Sequence, residues 1–169
     1  MPSSFATVGL IGRRGTPYVV DSCAAVASCL LAAGRKLIVE DQVAALLEDG
    51  DAPFGPGSST GDRQTLGERC DLIVVVGGDG SLLSVGRDLV NARVPVLGVN
   101  RGGLGFLADI PPDQIDAKIT EVLEGKYSTE DHFLLDAAII RNGVEVARSP
   151  ALNDVVVHLR GMSRMMEFE

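Results

Sequence analysis

The chain has 169 residues, 46% hydrophobic and 22% charged, which is enough apolar material for one ordinary packed domain plus part of another and excludes a disordered polypeptide. A formal charge of −8 and a pI near 4.7 exclude nucleic acid and anionic membrane as main partners. They still allow a nucleotide held locally by backbone amides. Cys23, Cys29 and Cys70 have no C-x-x-C spacing and leave an odd one over, so reduced, partly buried thiols are expected rather than disulfides or a zinc site. No apolar run approaches the roughly 18–20 residues of a membrane span, and the first residues lack a signal-peptide pattern. A cytoplasmic protein is expected.

In chain order, Ala6 to Ile11 reads as a first strand, closed by Gly12-Arg13-Arg14-Gly15. Pro17 suits the first turn of a helix, and Val19, Val20, Cys23, Val26, Ala27, Leu30 and Leu31 then recur at helical spacing up to the stop at Gly34. Leu37 to Glu40 is a second strand, followed by a short helix from Gln42 to Leu47. Residues 50–62, rich in Gly, Pro, Ser and Asp, read as a mobile surface loop. Leu72 to Val76 is an unbroken apolar run, as in a parallel strand buried on both faces. A helix from Ser81 to Val90, a strand from Pro95 to Asn100, a second glycine-rich turn from Arg101 to Phe106, and an amphipathic helix from Asp113 to Leu123 follow.

Strands alternating with helices predict an α/β fold, a Rossmann-like parallel-sheet domain with glycine-rich turns spanning 1–128. The pattern then changes. Phe133 to Ile140, the Asn142-Gly143 turn and Val144 to Ala147 predict a β-hairpin, and Asn153–Leu159 and Met165–Glu169 predict further strands. Residues 129–169 therefore read as the start of an antiparallel all-β domain.

The most informative motif is Gly77-Gly78-Asp79-Gly80, at the end of the buried strand. Such a turn presents free backbone N–H groups where a phosphate can dock, and ligands of open α/β sheets bind at the carboxyl ends of strands. Asp79 would repel a phosphate unless it serves a hydroxyl proton or a metal ion, a combination that suggests a kinase. The alternative is a plain strand–helix turn with Asp79 as cap. The motif lacks the Gly-Lys-Ser/Thr of a P-loop and the third glycine of the dinucleotide fingerprint. Gly9-x-x-Gly12-x-x-Gly15, with Glu40 ending the next strand, also resembles a nucleotide turn, although a structural turn is the favoured reading; Arg13 and Arg14 could meet a nucleotide phosphate, with solvated surface arginines as the default reading. Asn100 to Phe106 fits either a structural turn or a ligand-lining loop, and Asn153-Asp154 is a polar pair that alone would read as a turn.

Together these segments resemble the NAD kinase family, in its bacterial branch. The matching runs are Val74-Val75-Val76-Gly77-Gly78-Asp79-Gly80-Ser81-Leu82-Leu83, then Val96 through Leu107 with its Asn100-Arg101-Gly102-Gly103-Leu104-Gly105-Phe106 core, then Leu152-Asn153-Asp154-Val155-Val156. The glycine–aspartate element alone is shared with diacylglycerol and sphingosine kinases and, more loosely, phosphofructokinases; the Asn100–Leu107 run makes the resemblance specific.

The resemblance implies phosphorylation of the adenosine ribose 2′-hydroxyl of NAD, with ATP or polyphosphate as donor and Mg²⁺ or another divalent metal as cofactor. It implies Asp79 at that hydroxyl as the catalytic carboxylate, with Gly77, Gly78 and Gly80 at the phosphates. It implies NAD binding by Asp79, Gly80, Phe106, Asn153, Asp154 and Arg164. Asp154 stands where Glu is usual, one methylene shorter. No metal ligand is assigned. The partners implied are NAD and ATP, with a homo-oligomer, dimer or tetramer, in the complete protein. Family members continue past Glu169 with Thr-Pro-x-Gly-Ser-x-Ala-Tyr and Asp-Gly segments, so the 169-residue chain is expected to be a fragment, inactive alone. A non-catalytic nucleotide-binding fragment and a diacylglycerol-type lipid kinase are the rival readings. Only 4% aromatics and no evident apolar surface helix speak against the lipid kinase.

Overall fold

The structure is a computed structural model that describes residues 5–13, 17–47, 56, 58–101, 107–108 and 110–157. The chain divides into two compact units, Met1–Asp131 and His132–Glu169.

The first unit is a five-stranded parallel sheet. Its strands are β1 (Thr7–Gly12), β2 (Lys36–Glu40), β3 (Ser58–Gly61), β4 (Leu72–Gly77) and β5 (Val96–Asn100), in the order β3-β2-β1-β4-β5. Its helices are α1 (Pro17–Ala32), α2 (Asp41–Leu47), α3 (Arg63–Arg69), α4 (Asp79–Asp88) and α5 (Ile115–Leu123), the last preceded by a 3₁₀ turn at Pro112–Gln114. Alternation along β4 decides the layering. Leu72, Val74 and Val76 pack with α1, α2 and α5, whereas Ile73 and Val75 pack with Leu66 of α3 and Val85 of α4. All six residues of β4 are buried, which is why the run carries no polar alternation. On α5 the buried residues are Ile115, Ile119 and Leu123, one per turn on a single stripe.

Two elements of this unit depart from the sequence reading. Ser58–Gly61, inside the stretch read as loop, is the edge strand β3, paired parallel with Leu37–Glu40. An edge strand of Ser, Ser, Thr and Gly is held by backbone hydrogen bonds and carries no apolar signal. Arg63–Arg69, given no element from sequence, is α3, capped by Asp62, whose carboxylate accepts from the Thr65 N–H at 2.8 Å and the Thr65 hydroxyl at 2.6 Å. Leu66 is its one buried residue, too few for a periodic signal.

In the second unit, β6 (Leu134–Arg141) and β7 (Val144–Leu152) form an antiparallel hairpin. Asn142 and Gly143 sit at φ 51° and 76°, the left-handed pair a tight hairpin turn needs. The strand expected over Asn153–Leu159 is not formed at 153–157: β7 runs on to Leu152 and Asn153 turns out of the ladder at φ 83°. Residues 158–159 and the strand expected over Met165–Glu169 lie outside the described residues. Among the described residues no helix is long and apolar enough to cross a membrane.

Candidate functional site

The strand order reverses between β1 and β4: β2 and β3 extend the sheet on one side, β4 and β5 on the other. A crevice outside the carboxyl ends at such a reversal is where open α/β sheets bind ligands. The Gly77–Gly80 turn lies there. Its neighbours on both sides bond to the end of β4, Arg13 N–H to the Val76 carbonyl at 3.0 Å and Arg101 N–H to the Gly77 carbonyl at 2.7 Å.

The turn's glycines differ in what requires them. A Cβ on Gly77 would lie 2.3 Å from Ser81 Oγ and 2.8 Å from Ser81 Cβ, so the close approach of α4 to β4 demands glycine. Gly78 is the N-cap, with extended backbone and no side-chain cap, and its carbonyl accepts from Ser81 N–H at 2.9 Å. Gly80 is exposed in the first turn of α4, and a Cβ there would meet nothing within 4 Å. Nothing among the described residues requires glycine at position 80.

Asp79 opens α4. Its Oδ1 accepts from the backbone N–H groups of Leu107 at 3.1 Å and Ala108 at 3.3 Å, reaching 28 and 29 residues along the chain. It thereby joins the end of the Asn100–Leu107 run to the end of β4. Gly98 completes this join, because a Cβ there would press on Leu82 Cδ1 at 2.7 Å and on Ala108 Cα at 2.9 Å. The chain then returns to β5, with Asn100 N–H bonding the Ile110 carbonyl at 2.8 Å. Phe106 lies outside the described residues.

Arg101 lies in the Asn100–Phe106 run, which the sequence reads as a structural turn or a ligand-lining loop, without singling out the arginine. Its Nε donates to Oγ of Ser22, a buried residue of α1, across 79 residues of sequence. Beside it is a cleft of about 290 Å³ lined by Tyr18, Asn100, Arg101, Pro111 and Pro112. The only local signal was an arginine directly after a strand. A larger groove of about 550 Å³, lined by Ser28, Cys29, Arg35 and Asp116 among others, lies toward the opposite end of α1 from Tyr18, away from the glycine turn.

Of the Gly9–Gly15 stretch, Gly9 and Gly12 belong to β1, and Arg14 and Gly15 lie outside the described residues. A Cβ on Gly9 would meet Cys70 Sγ and Ile73 Cγ1 at 3.1 Å, and one on Gly12 would lie 2.8 Å from Cys23 Sγ, so both glycines serve helix–sheet packing. Glu40, where a ribose-binding acid would stand, is 3% exposed and pairs instead with Arg63 Nε at 2.7 Å. The Arg63 guanidinium continues to Ser84 at 2.9 Å and to Asp88, linking β2, α3 and α4. The cysteines are free thiols. Burial, and then the charge of Glu40, push Cys23 up to about 12. Burial and then Asp71 push Cys70 up to about 11.

In the second unit, Asn153 and Asp154 are exposed neighbours joined by an Nδ2–Oδ2 hydrogen bond of 2.8 Å. Asn153 holds the left-handed conformation that Asn tolerates better than most residues. Arg164 lies outside the described residues.

Comparison with known proteins places this geometry. Residues 8–127 match the ATP-NAD kinase N-terminal domain family. The chain is 46% identical over 165 residues to an NAD kinase of Ectopseudomonas mendocina and 45% identical to one of Pseudomonas fluorescens SBW25, covering 98% of this chain and 54% of each relative. It thus spans about half the length of the curated relatives it matches. Its fold is similar to that of a yeast NADH kinase complexed with NADH (TM-score 0.73, 23% identity, 88% of this chain and 47% of that one). It is also similar to that of an Archaeoglobus fulgidus NAD kinase in complex with ATP (TM-score 0.52, 18% identity, 82% and 45%). With the family matched from β1 through α5, and with the glycine–aspartate turn at the reversal of its parallel sheet, the chain belongs to the NAD kinase family.

Proposed function

We propose that this chain contributes the nucleotide-handling half of an enzyme that transfers the γ-phosphoryl group of a donor, ATP or polyphosphate, to the adenosine ribose 2′-hydroxyl of NAD, giving NADP. The observation that carries the reading is the position of Asp79, a carboxylate just beyond the carboxyl end of β4, beside the reversal of the strand order, fixed by the backbone N–H groups of Leu107 and Ala108. Phosphoryl transfer asks the protein for alignment and charge neutralisation more than covalent chemistry. Asp79 orients the hydroxyl and accepts its proton as the oxygen attacks phosphorus. In this reading Gly77, Gly78 and Gly80 lie at the donor phosphates, with Gly80 leaving room for the nucleotide where no described residue of the chain stands within 4 Å.

Asn153 and Asp154, with Phe106 and Arg164, hold the dinucleotide in this reading. Residues 1–128 then form the domain carrying the glycine turn, and 129–169 begin an NAD-binding β-domain. Among the described residues no three His, Cys, Asp or Glu side chains converge. In this reading Mg²⁺ would be held mainly by the donor phosphates, with Asp79 as the carboxylate that would help hold it. When bound, the ion neutralises phosphate charge. The reading also includes a cytoplasmic setting and a homo-oligomeric complete protein.

The test is Asp79→Asn in a full-length protein carrying this sequence. The amide oxygen can still accept from Leu107 and Ala108, so the fold should hold while the base is lost. NADP formation should fall at least about a hundredfold with an unchanged melting temperature. Near-normal turnover would overturn the assignment, and NADP formation assayed beside diacylglycerol phosphorylation separates the lipid-kinase reading.

A further inference from the structure

We propose that the cleft lined by Tyr18, Asn100, Arg101, Pro111 and Pro112 is the anion subsite that takes the polyphosphate chain of the phosphoryl donor, with Arg101 as its positioned cation; this rests on the kinase reading above and names a residue that reading leaves without a role.

Arg101 is fixed at both ends. Its backbone N–H is bonded to the Gly77 carbonyl at 2.7 Å, and its Nε to the hydroxyl of Ser22, which is 1% exposed. An arginine ordered before the ligand arrives loses little freedom on binding, and its planar fork matches phosphate oxygens. With Nε bonded to Ser22, the terminal amino groups have no partner among the described residues and are the donors offered to a ligand. The Ser22 contact is to a neutral hydroxyl, so it orders the guanidinium without cancelling its charge. Among the described residues no carboxylate pairs with Arg101, as none does with Arg87 or Arg93; what sets Arg101 apart from them is its anchor on the buried Ser22 hydroxyl. In a chain of net charge −8, a guanidinium held beside a cleft is a selective feature.

Place and size fix the ligand class. Arg101 directly follows β5, the neighbour of β4, and adjacent strands lie about 4.8 Å apart, so the cleft opens on the same sheet edge as Asp79. Tyr18 belongs to the first turn of the 16-residue α1, whose positive end therefore adds to the field at the cleft. A cleft of about 290 Å³ holds the volume of roughly ten waters. That suits a short run of phosphates and is too small for a whole dinucleotide.

The experiment is calorimetric titration of the 169-residue chain with inorganic tripolyphosphate, ATP and NAD in separate arms. Arg101→Ala should weaken tripolyphosphate and ATP about tenfold or more, the loss of a charge-assisted contact. Arg101→Lys should recover part of the loss. Ser22→Ala should weaken both ligands severalfold with no change of charge, and Arg87→Ala, which removes an exposed arginine of α4, should change neither by more than about twofold. The arm that binds more tightly in the native chain identifies the source of the polyphosphate.

Unchanged binding in Arg101→Ala, equal weakening in Arg87→Ala, a loss confined to NAD or to ATP, or no tripolyphosphate binding by the native chain would each overturn the proposal. Should Arg101→Ala fail to fold, Arg101→Lys and Ser22→Ala carry the same test. The tripolyphosphate arm involves neither NAD nor turnover. Failure there leaves the role of Asp79 standing, and failure of the Asp79→Asn test leaves this subsite standing.

Discussion

Replacing Gly80 and Gly77 in turn by alanine separates a glycine kept for a ligand from one kept for the fold. At Gly80 the added methyl meets nothing within 4 Å and the backbone is outside the left-handed region, so the chain accepts it. Glycine costs a helix up to about 1 kcal/mol relative to alanine, and less in a first turn, so Gly80→Ala should raise stability by about 0.5 kcal/mol. For a unit of this size that is a rise of about 1–2 °C in melting temperature. At Gly77 the methyl would sit 2.8 Å from Ser81 Cβ, a clash that no Ser81 rotamer relieves. The start of α4 must move, at a cost of about 1–3 kcal/mol, or several degrees. Thermal melts of the chain should therefore move in opposite directions. NADP formation in a full-length protein carrying this sequence should fall in both variants, by at least about tenfold in Gly80→Ala, where the methyl intrudes on the nucleotide. Equal destabilisation by the two substitutions, or full activity in Gly80→Ala, would refute the reasoning.

Arg63→Ala should cost about 3–5 kcal/mol in urea unfolding because it strands the buried Glu40 carboxylate, whose Oε2 already lacks a hydrogen bond, while Asp88→Ala at the exposed end of the network should cost under about 1 kcal/mol. Cys23 keeps its proton in the folded state up to about 12, against 9.0 unperturbed, so its contribution is intact below pH 9 and declines as pH rises toward 12. The decline should be about 1.4 kcal/mol per pH unit, and denaturant melts of Cys23→Ala should lack that component. The hairpin exposes Ile139, Ile140, Val144 and Val146 by more than half, so the chain should self-associate with rising concentration, and Val146→Lys should reduce this in light scattering; a native chain that stays monomeric would contradict it. Truncation of Asn153 or Asp154 to alanine in the full-length protein should raise the Michaelis constant for NAD by about 1–3 kcal/mol equivalent, with the ATP constant less affected.

The sequence by itself determined the elements whose cause is local. The run Leu72–Val76 is apolar throughout because both of its faces are buried, and the Asn142-Gly143 pair turns the hairpin because those residues tolerate the left-handed backbone. The glycine–aspartate turn was likewise legible, since its chemistry lies in consecutive residues. Tertiary structure alone decided the rest. β3 is a strand because β2 offers its edge, and Ser58–Gly61 carry no pattern of their own. Glu40 ends β2 where a ribose-binding acid would stand, and only the placement of α3 puts Arg63 on it. The reach of Asp79 to Leu107 and Ala108, and of Arg101 to Ser22, joins residues 28 to 79 positions apart. Periodicity and turn chemistry report what a residue does with its neighbours in sequence. Which strand ends stand side by side is set by the order in which strands enter the sheet, and that order is written in no single segment.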